Sequence, residues 1–316
     1  LDRYARLVLD GEEHLAGYVE ASHGCVHRCR HCPVPVIYDG RIRIVDHDSV
    51  LEDIAQLVDA GAKHITFGDP DFLNGPHHSL KVARSMHDRF GELTFDCTTK
   101  VEHILRHRDI WDEMARYGCL FVISAFESTN DAILTRLDKG HTTAEAGSAV
   151  SLLRDHGIEV RPSFMPFTPW TTLDDLCDLL DFVVTHDLVG NVDPVQYTIR
   201  LLLPEGSLLL DHPDLAPHLG AYDAERLAFM WNAADPAVDR LQAHLATLVE
   251  NSLAGGDPIS VTFTKVRAVA YDAAGRDATA LASPDTDADT DGANERPRLT
   301  ESWFCCAEPT GIQLSA

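Results

Sequence analysis

Residues 15–32 read LAGYVEASHGCVHRCRHC, a short β-rich run followed at once by three cysteines. The first seven residues predict a buried β-strand, and Cys25, Cys29 and Cys32 lie in the loop behind it. Three residues separate the first two cysteines, and two separate the last pair. Three thiolates at this spacing can each bind one iron of a [4Fe–4S] cluster, which leaves the fourth iron open to a small molecule.

The same loop contains three histidines, His23, His27 and His31. Zinc prefers four nitrogen or sulfur ligands, so cysteines and histidines together would also suit a zinc site. The surrounding chain favours the iron–sulfur interpretation, because the loop follows the first strand of a barrel-like pattern.

That pattern alternates strands with helices up to about residue 204. Predicted strands cover residues 15–21, 64–67, 93–98, 120–124, 158–165 and 194–201. Predicted helices cover residues 49–61, 77–90, 101–117, 130–137, 143–156 and 172–186. Six such steps indicate an α/β fold with a parallel sheet, and six instead of eight indicate a partial (β/α)6 TIM-like barrel. Chemistry is then expected at the C-terminal ends of the strands.

The pattern changes after the barrel, so the chain is expected to divide into four segments. These are the barrel, a C-terminal helical extension, a flexible acidic linker and a Cys-Cys tail, over residues 1–204, 205–273, 274–298 and 299–316 respectively. Within the extension, helices are predicted over 222–233 and 236–254, and 258–273 is ambiguous. The linker is predicted because Asp, Ala, Thr and Gly dominate its composition.

The chain has 316 residues and a formal net charge of −24. Polyanion binding relies on clustered lysine and arginine, so this balance argues against nucleic acid or an anionic membrane as a partner. The sequence contains neither a leader-like start nor an apolar run of about 18 residues, so we expect no signal peptide and no membrane span. Clustered cysteines in such a chain indicate metal or redox chemistry in a reducing cytosol, which predicts a cytoplasmic location.

The loop and barrel, about residues 15–204, resemble the radical S-adenosylmethionine (SAM) superfamily, whose cluster loop has this cysteine spacing. His31 matches the aromatic residue or histidine that usually precedes the last cysteine of that loop. The resemblance implies a [4Fe–4S] cluster on Cys25, Cys29 and Cys32, with its unique iron bound by the amino and carboxylate groups of SAM. It also implies a low-potential electron donor such as flavodoxin or ferredoxin.

A second motif, FGDP at residues 67–70, stands where the superfamily has a Gly-Gly-Glu-Pro-like stretch that contacts the SAM amino group. It implicates Gly68 and Asp69, with Asp71 as a further candidate, because an ammonium group needs an acceptor there. The plain alternative is an ordinary Asp-Pro-Asp turn.

Two more motifs extend the resemblance. AFES at residues 125–128 is similar to the Gly-x-Glu-Ser segment that meets SAM, and KGHT at residues 139–142 is similar to a Lys-Gly-x-Thr stretch. Alternating polar residues on the fifth and sixth predicted strands would add lining for SAM or substrate. The resulting candidate contacts are Ser124, Glu127, Lys139, Arg161 and Gln196.

The tail carries two adjacent thiols, Cys305 and Cys306. Vicinal thiols bind soft, thiophilic atoms, of which trivalent arsenic is one. CCAEP at residues 305–309 is similar to the C-terminal motif of a radical SAM family that acts in arsinothricin biosynthesis and sometimes has selenocysteine at the second position. The resemblance implies that both thiols present As(III) and that Glu308 orients the arm or accepts a proton. Cys97 or a small-molecule thiol would supply a third ligand.

The family reaction implied is transfer of the 3-amino-3-carboxypropyl group of SAM to arsenic, with SAM and arsenite as substrates. It forms a C–As bond and releases methylthioadenosine. Two alternatives stay open at this point. One is a radical SAM enzyme that generates a 5′-deoxyadenosyl radical for another thiol-bound or carbon substrate. The other is a protein that binds zinc or arsenic without catalysis.

Overall fold

The computed structural model describes residues 4–277 and 296–301. Its strands are β1 (Arg6–Leu9), β2 (Glu12–Val19), β3 (Ser22–Gly24), β4 (Ile42–Ile44), β5 (His64–Phe67), β6 (Thr94–Thr98), β7 (Cys119–Glu127), β8 (Glu159–Phe164), β9 (Leu219–Asp223), β10 (Ala228–Trp231) and β11 (Arg298–Leu299). Its α-helices are α1 (Val34–Tyr38), α2 (His47–Asp59), α3 (Pro76–Phe90), α4 (Val101–Arg106), α5 (Trp111–Arg116), α6 (Asp131–Leu137), α7 (Thr143–Asp155), α8 (Leu173–Thr185), α9 (Pro236–Gly255) and α10 (Ile259–Ala274).

The main sheet has the strand order β11-β1-β2-β5-β6-β7-β8. Strands β2, β5, β6, β7 and β8 pair in parallel, whereas β1 pairs antiparallel with β2 and β11 pairs antiparallel with β1. Helices connect successive parallel strands, which is the βαβ arrangement that covers a parallel sheet. The predicted α/β fold with a partial TIM-like barrel is therefore confirmed.

The two faces of this sheet differ in chemistry because side chains alternate along each strand. On the helix side, Ile65, Phe67 and Phe95 are fully buried in the main hydrophobic cluster. On the concave side, the carboxylate of Asp96 accepts hydrogen bonds from Thr66 Oγ1 at 2.7 Å and contacts His64 Nε2 at 2.9 Å. The interior next to β5 and β6 is consequently polar, while the outer face of these strands is a conventional core.

Two predicted elements were wrong. Residues 194–201 do not form a sixth strand: Pro194–Thr198 is a 3₁₀ helix, and only an isolated bridge between Phe167 and Arg200 continues the parallel pairing. Proline at the start of this segment removes a donor that a strand ladder needs. Residues 222–233 are not helical either, because β9 and β10 pair there as an antiparallel hairpin.

Strand β1 was missed by the sequence interpretation. It forms a hairpin with β2 across Asp10 and Gly11, which both have positive φ, of 50° and 78°. An Asp-Gly pair between apolar runs is the usual signal for such a two-residue turn. The helix predicted over 101–117 is also divided, because a 3₁₀ turn separates α4 from α5.

The C-terminal extension consists of the β9–β10 hairpin followed by α9 and α10, and α10 packs against both α8 and α9. Residues 258–273, which the sequence left ambiguous, are mostly helical. Arg298, the last residue of the predicted linker, lies in β11. Cys305, Cys306 and Glu308 lie outside the described residues. In the part of the chain that the structure describes, no helix combines the length and apolar character needed to cross a membrane.

Candidate active site

The cysteine loop lies at the C-terminal end of β2, after the short strand β3. Cys25 and Cys29 are buried and Cys32 is partly exposed. Two backbone hydrogen bonds anchor the loop to distant elements. The Arg30 N–H donates to the Leu137 carbonyl at 2.9 Å, and the Leu209 N–H donates to the Arg30 carbonyl at 3.1 Å. These anchors hold the three thiols over the barrel mouth.

Asn74 orients the first cysteine of the loop. Its side-chain oxygen accepts from Cys25 Sγ at 3.7 Å and from the Val26 N–H at 3.4 Å, and its amide donates to the Gly24 carbonyl at 3.4 Å. Burial raises the pKa of the Cys25 thiol to about 11. A metal cation bound to this sulfur would offset the effect of burial on the thiolate.

Asp69 binds the start of the loop through hydrogen bonds. One carboxylate oxygen accepts from the Ala21 N–H at 2.9 Å and the other from Ser22 Oγ at 2.5 Å. The side chain is almost fully buried, and burial raises its pKa to about 6. Asp69 therefore lies at the mouth, as the sequence predicted, and both of its oxygens already have donors from the loop. Gly68 lies beside it under the ring of Tyr18, which occupies the place of any added Cβ.

Asp71 is more completely engaged. Its carboxylate accepts from Thr99 Oγ1 at 2.8 Å, from the N–H groups of Leu73 and Lys100 at 3.0 and 3.2 Å, and contacts His103 Nδ1 at 3.0 Å. Although burial alone raises its pKa, the His103 contact and these donors hold the pKa of Asp71 below its usual range. The carboxylate therefore supports α4 and has little capacity left for SAM.

His103 extends this arrangement to the cluster loop. Its Nε2 lies 3.0 Å from Nε2 of His27, which is between the first two cysteines. Burial, followed by the charges of Lys100 and His103, lowers the pKa of His27 to about 4. A neutral His27 can share a hydrogen bond with Nε2 of His103, whose Nδ1 faces the Asp71 carboxylate. Sequence reasoning singled out His27 only as a zinc ligand and missed His103 and Asn74, since neither belongs to a recognisable motif.

Glu127 ends β7 in an unusual conformation. The register with β8 shifts between Ala125 and Glu127, and Glu127 has a φ of 63°, which non-glycine residues rarely adopt. Such conformations cost of order 1–3 kcal/mol and concentrate at functional sites. The distortion turns the carboxylate inward, where Oε1 lies 3.0 Å from His31 Nε2 and 3.2 Å from Lys139 Nζ.

These three side chains form a buried charge cluster, each at most 3% exposed. Burial raises the pKa of Glu127, but Lys139 and His31 more than offset burial and hold it at about 2. His141, next to this cluster, is kept neutral because burial and the Lys139 charge lower its pKa to about 4. The cluster joins the loop histidine to the KGHT and AFES motifs, so three separate sequence signals meet at one point.

The remaining predicted contacts lie on β8 and in the 3₁₀ helix Pro194–Thr198. Gln196 accepts from the Phe164 N–H at 3.0 Å, and Arg161 donates to Asp193 at 3.1 Å and to the Pro297 carbonyl at 3.5 Å. Both side chains line a pocket with Ser163 and Glu301. Arg161 and Gln196 therefore line the interior, and Gln196 binds the β8 residue that is in register with Glu127.

The described cysteines outside the loop, Cys97, Cys119 and Cys177, are core residues. Cys97 is fully buried on the helix side of β6, and a hydrogen bond with Cys119, together with burial, raises its pKa well above the usual range. Cys177 is buried against α10 and contacts the Ala270 carbonyl at 3.7 Å. The suggestion that Cys97 supplies a third arsenic ligand was wrong, because its thiol faces the core and not the barrel mouth.

The sequence model of the radical SAM superfamily matches residues 19–183, just over half of the chain. This region begins within β2 and contains the cysteine loop, the Asp69 turn and the Glu127 cluster. The chain therefore belongs to the radical SAM superfamily.

Curated relatives include methylthiotransferases. A putative methylthiotransferase of Methanocaldococcus jannaschii is 26% identical over 236 residues, covering 67% of this chain and 51% of that protein. The ribosomal protein uS12 methylthiotransferase RimO of Porphyromonas gingivalis is 26% identical over 177 residues, covering 52% and 40%. The chain thus spans about half the length of the curated relatives it matches.

Solved structures share the fold at lower identity. The cobalamin-dependent radical SAM enzyme OxsB with aqua-cobalamin has a TM-score of 0.62 and 18% identity, covering 75% of this chain and 41% of OxsB. The radical SAM methyltransferase TsrM of Kitasatospora setae, with cobalamin and a [4Fe–4S] cluster bound, has a TM-score of 0.50 and 19% identity, covering 55% and 33%. At this identity the likeness is one of fold.

The superfamily uses a [4Fe–4S] cluster and SAM, and the residues at the mouth fit both. Three cysteines share one loop, which backbone hydrogen bonds anchor to distant elements. Among the described residues, the buried His31 Nδ1 and Ser124 Oγ have no hydrogen-bond partner, which leaves polar atoms for a ligand. Cys25, Cys29 and Cys32 would hold the cluster, and the Glu127 cluster would face SAM. When bound, the iron–sulfur cluster would supply the electron that breaks a C–S bond of SAM.

Proposed function

We propose that this radical SAM enzyme transfers the 3-amino-3-carboxypropyl group of SAM to trivalent arsenic, giving a hydroxyarsinothricin-type product and methylthioadenosine. The observation that carries the proposal is a pair of adjacent thiols six and seven residues beyond Leu299, in a chain whose strand β11 is part of the barrel sheet. Radical chemistry at the mouth and a thiophilic site on the same chain suit an arsenic substrate.

The residues divide this task between them. Cys25, Cys29 and Cys32 hold the cluster, and the Glu127–Lys139–His31 arrangement provides fixed charges for the amino acid part of SAM. Cys305 and Cys306 bind As(III), and Glu308 accepts a proton from an arsenic-bound hydroxyl group. In the net reaction a C–S bond of SAM breaks and a C–As bond forms. The lone pair of arsenic forms the new bond, so arsenic passes from As(III) to As(V). The net reaction therefore consumes no external electron.

Product analysis tests this proposal directly. Reduced, cluster-loaded protein incubated with SAM and arsenite should give methylthioadenosine and an organoarsenical that contains the aminocarboxypropyl group. A Cys305→Ser/Cys306→Ser double variant should keep its cluster and lose the C–As product. Undiminished product from the double variant would remove the dithiol from the mechanism.

A 5′-deoxyadenosyl route is the competing function, since nothing in the barrel selects which C–S bond breaks. The relatives named as methylthiotransferases favour group transfer to a substrate other than arsenic. This route predicts 5′-deoxyadenosine as the SAM fragment and turnover without arsenite. A protein that only binds zinc or arsenic would stay colourless after anaerobic iron–sulfur reconstitution.

A further inference from the structure

Residues 296–301, here called the strap, return to the barrel and add its outermost strand. Leu299 pairs with Leu7, and Arg298 pairs with Val8. The Arg6 N–H donates to Thr300 Oγ1 at 2.9 Å, and the Thr300 N–H donates to the Arg6 carbonyl at 2.8 Å. The strap is therefore fixed to β1 by backbone pairing.

The other end of the strap contacts the opposite edge of the sheet. The Arg296 guanidinium donates to Asp187 and to the side chain of Asn191, which follow α8. Arg161, on β8, donates to the Pro297 carbonyl at 3.5 Å and is itself held by Asp193. Six residues thus bridge β8 and β1, which are the two sides of the open half-barrel.

Leu299 fastens the middle of this bridge. It packs against an apolar cluster that is separate from the main core and consists of Leu7, Phe121 and Ile123, with Leu9 and Leu120 beside it. Leu299 is partly buried by this contact. The strap is consequently held by an apolar contact at its centre and by arginine contacts at its start.

The direction of the strap gives it a consequence for the tail. Because β11 is antiparallel to β1 and β1 is antiparallel to β2, the strap runs in the direction of β2, towards the cysteine loop. Leu299 lies level with His14 through Leu7. Six further residues of extended chain span about 20 Å, which equals the rise from His14 to Glu20 at the barrel mouth. Cys305 and Cys306 can therefore reach the height of the cluster loop.

We propose that the strap is a positioning element that aims the C-terminal dithiol, and the As(III) bound to it, at the barrel mouth. Arg296 and Leu299 are its positioning residues, and Arg161 serves the strap in addition to lining the interior. This proposal rests on the proposed function. Delivery of the thiol-bound substrate is thereby assigned to described residues that lie far from the iron–sulfur cluster loop.

The test uses full-length, cluster-loaded Leu299→Asp and follows two readouts. The first is hydrogen exchange of the Arg6 and Thr300 amides without arsenite, which should become at least tenfold faster. The second is turnover with SAM and arsenite: the C–As product should fall at least tenfold, while total SAM cleavage stays within twofold. Leu253→Asp, at a half-exposed leucine on α9, is the matched control and should change neither readout. Arg296→Ala replaces Leu299→Asp if the latter fails to fold.

The outcomes separate the strap from the reaction. Unchanged hydrogen exchange of the Arg6 amide in Leu299→Asp would contradict the role of Leu299 in holding the strap on β1. Faster exchange with wild-type product formation would overturn the positioning role and leave the proposed function standing. A third outcome is that wild type makes no organoarsenical while hydrogen exchange still responds to Leu299→Asp. That result would confirm that Leu299 holds the strap on β1, and it would overturn arsenic delivery together with the proposed function.

Discussion

At the scale of single residues, the site depends on charges that are buried and paired. Glu127 is an anion in a place where burial opposes ionisation, and its charge persists because Lys139 and His31 contact it. A buried pair of this kind is costly to break, because removal of one partner leaves an uncompensated charge. The motif residues thus stabilise one another before any ligand is bound.

Glu127→Gln tests this charge through its pH dependence. The pKa of Glu127 is held at about 2, below its unfolded value of 4.5. The carboxylate therefore contributes stability that is present above pH 4.5 and is lost as the pH falls towards 2. The full contribution is about 3 kcal/mol, and roughly half of it should be lost by pH 3.5.

The measurement is denaturant unfolding of wild type and Glu127→Gln at pH 5.5 and pH 3.5. Between pH 5.5 and pH 3.5 the free energy of unfolding should fall by about 1–1.5 kcal/mol more in wild type than in the variant, because glutamine does not titrate. Equal losses in the two proteins would show that Glu127 titrates normally and that its contacts with Lys139 and His31 have no energetic weight.

His103→Ala removes the link between the cluster loop and α4. It leaves the buried Asp71 carboxylate without its 3.0 Å contact to His103 Nδ1, and it removes the ring nitrogen that lies 3.0 Å from His27 Nε2. The expected loss is about 2–3 kcal/mol of unfolding free energy, with faster loss of iron to a chelator. His107→Ala, on the same helix end with its ring centroid 5.6 Å from that of His103, should cost less than about 0.5 kcal/mol. Similar losses in both variants would contradict a special role for His103.

At the scale of elements, the sequence predicted what periodicity and local motifs encode. The five parallel strands and most helices of the barrel follow from alternating apolar runs, and the cysteine loop follows from its spacing. The prediction for 194–201 failed because this segment packs against α9, and the one for 222–233 failed because its two strands pair with each other. Both are tertiary effects that local patterns do not contain. Residues such as Asn74 and His103 could not be found because only the fold brings them to the loop.

Gly24, at the end of β3, is an element-scale requirement with a clear test. It has a φ of 81°, and a Cβ there would lie 2.3 Å from the Arg41 carbonyl oxygen of the facing strand end. Gly24→Ala should therefore displace the β3–β4 hairpin and with it Cys25, lowering iron incorporation during reconstitution at least threefold. Gly61→Ala is the matched control, since Gly61 also has a positive φ, of 103°, and no atom within 4 Å of an added Cβ.

The comparison of these two variants isolates the contact. Both changes carry the cost of alanine at positive φ, about 1 kcal/mol. Only Gly24→Ala adds a clash with backbone that cannot rotate away. Normal iron content in Gly24→Ala would mean that the hairpin does not determine the position of the first cluster ligand.

At the scale of the whole molecule, the number of residues between the strap and the dithiol should determine how well the thiols reach the barrel mouth. The described chain ends at Glu301, on the interior side of the barrel, with four residues before Cys306. A short connection raises the effective concentration of a tethered group, and added flexible length lowers it. The acidic segment precedes the strap in the chain. Because the strap is fixed to β1, the length of that segment should not change how the dithiol reaches the barrel mouth.

Inserting Gly-Ser-Gly-Ser after Ser302 lengthens the connection beyond the strap by about 13 Å of extended chain. We expect the C–As product to fall roughly three- to tenfold, because the thiols then explore a larger volume around the mouth. Total SAM cleavage should not change, since no residue of the cluster loop or the Glu127 site is altered. The same four residues inserted after Asp289, before the strap, are the control and should leave both rates at their wild-type values. Equal losses from the two insertions would mean that the strap does not isolate the tail from the linker. The dithiol would then reach the cluster by free diffusion of the whole arm, and the docked strand β11 would have no part in substrate delivery.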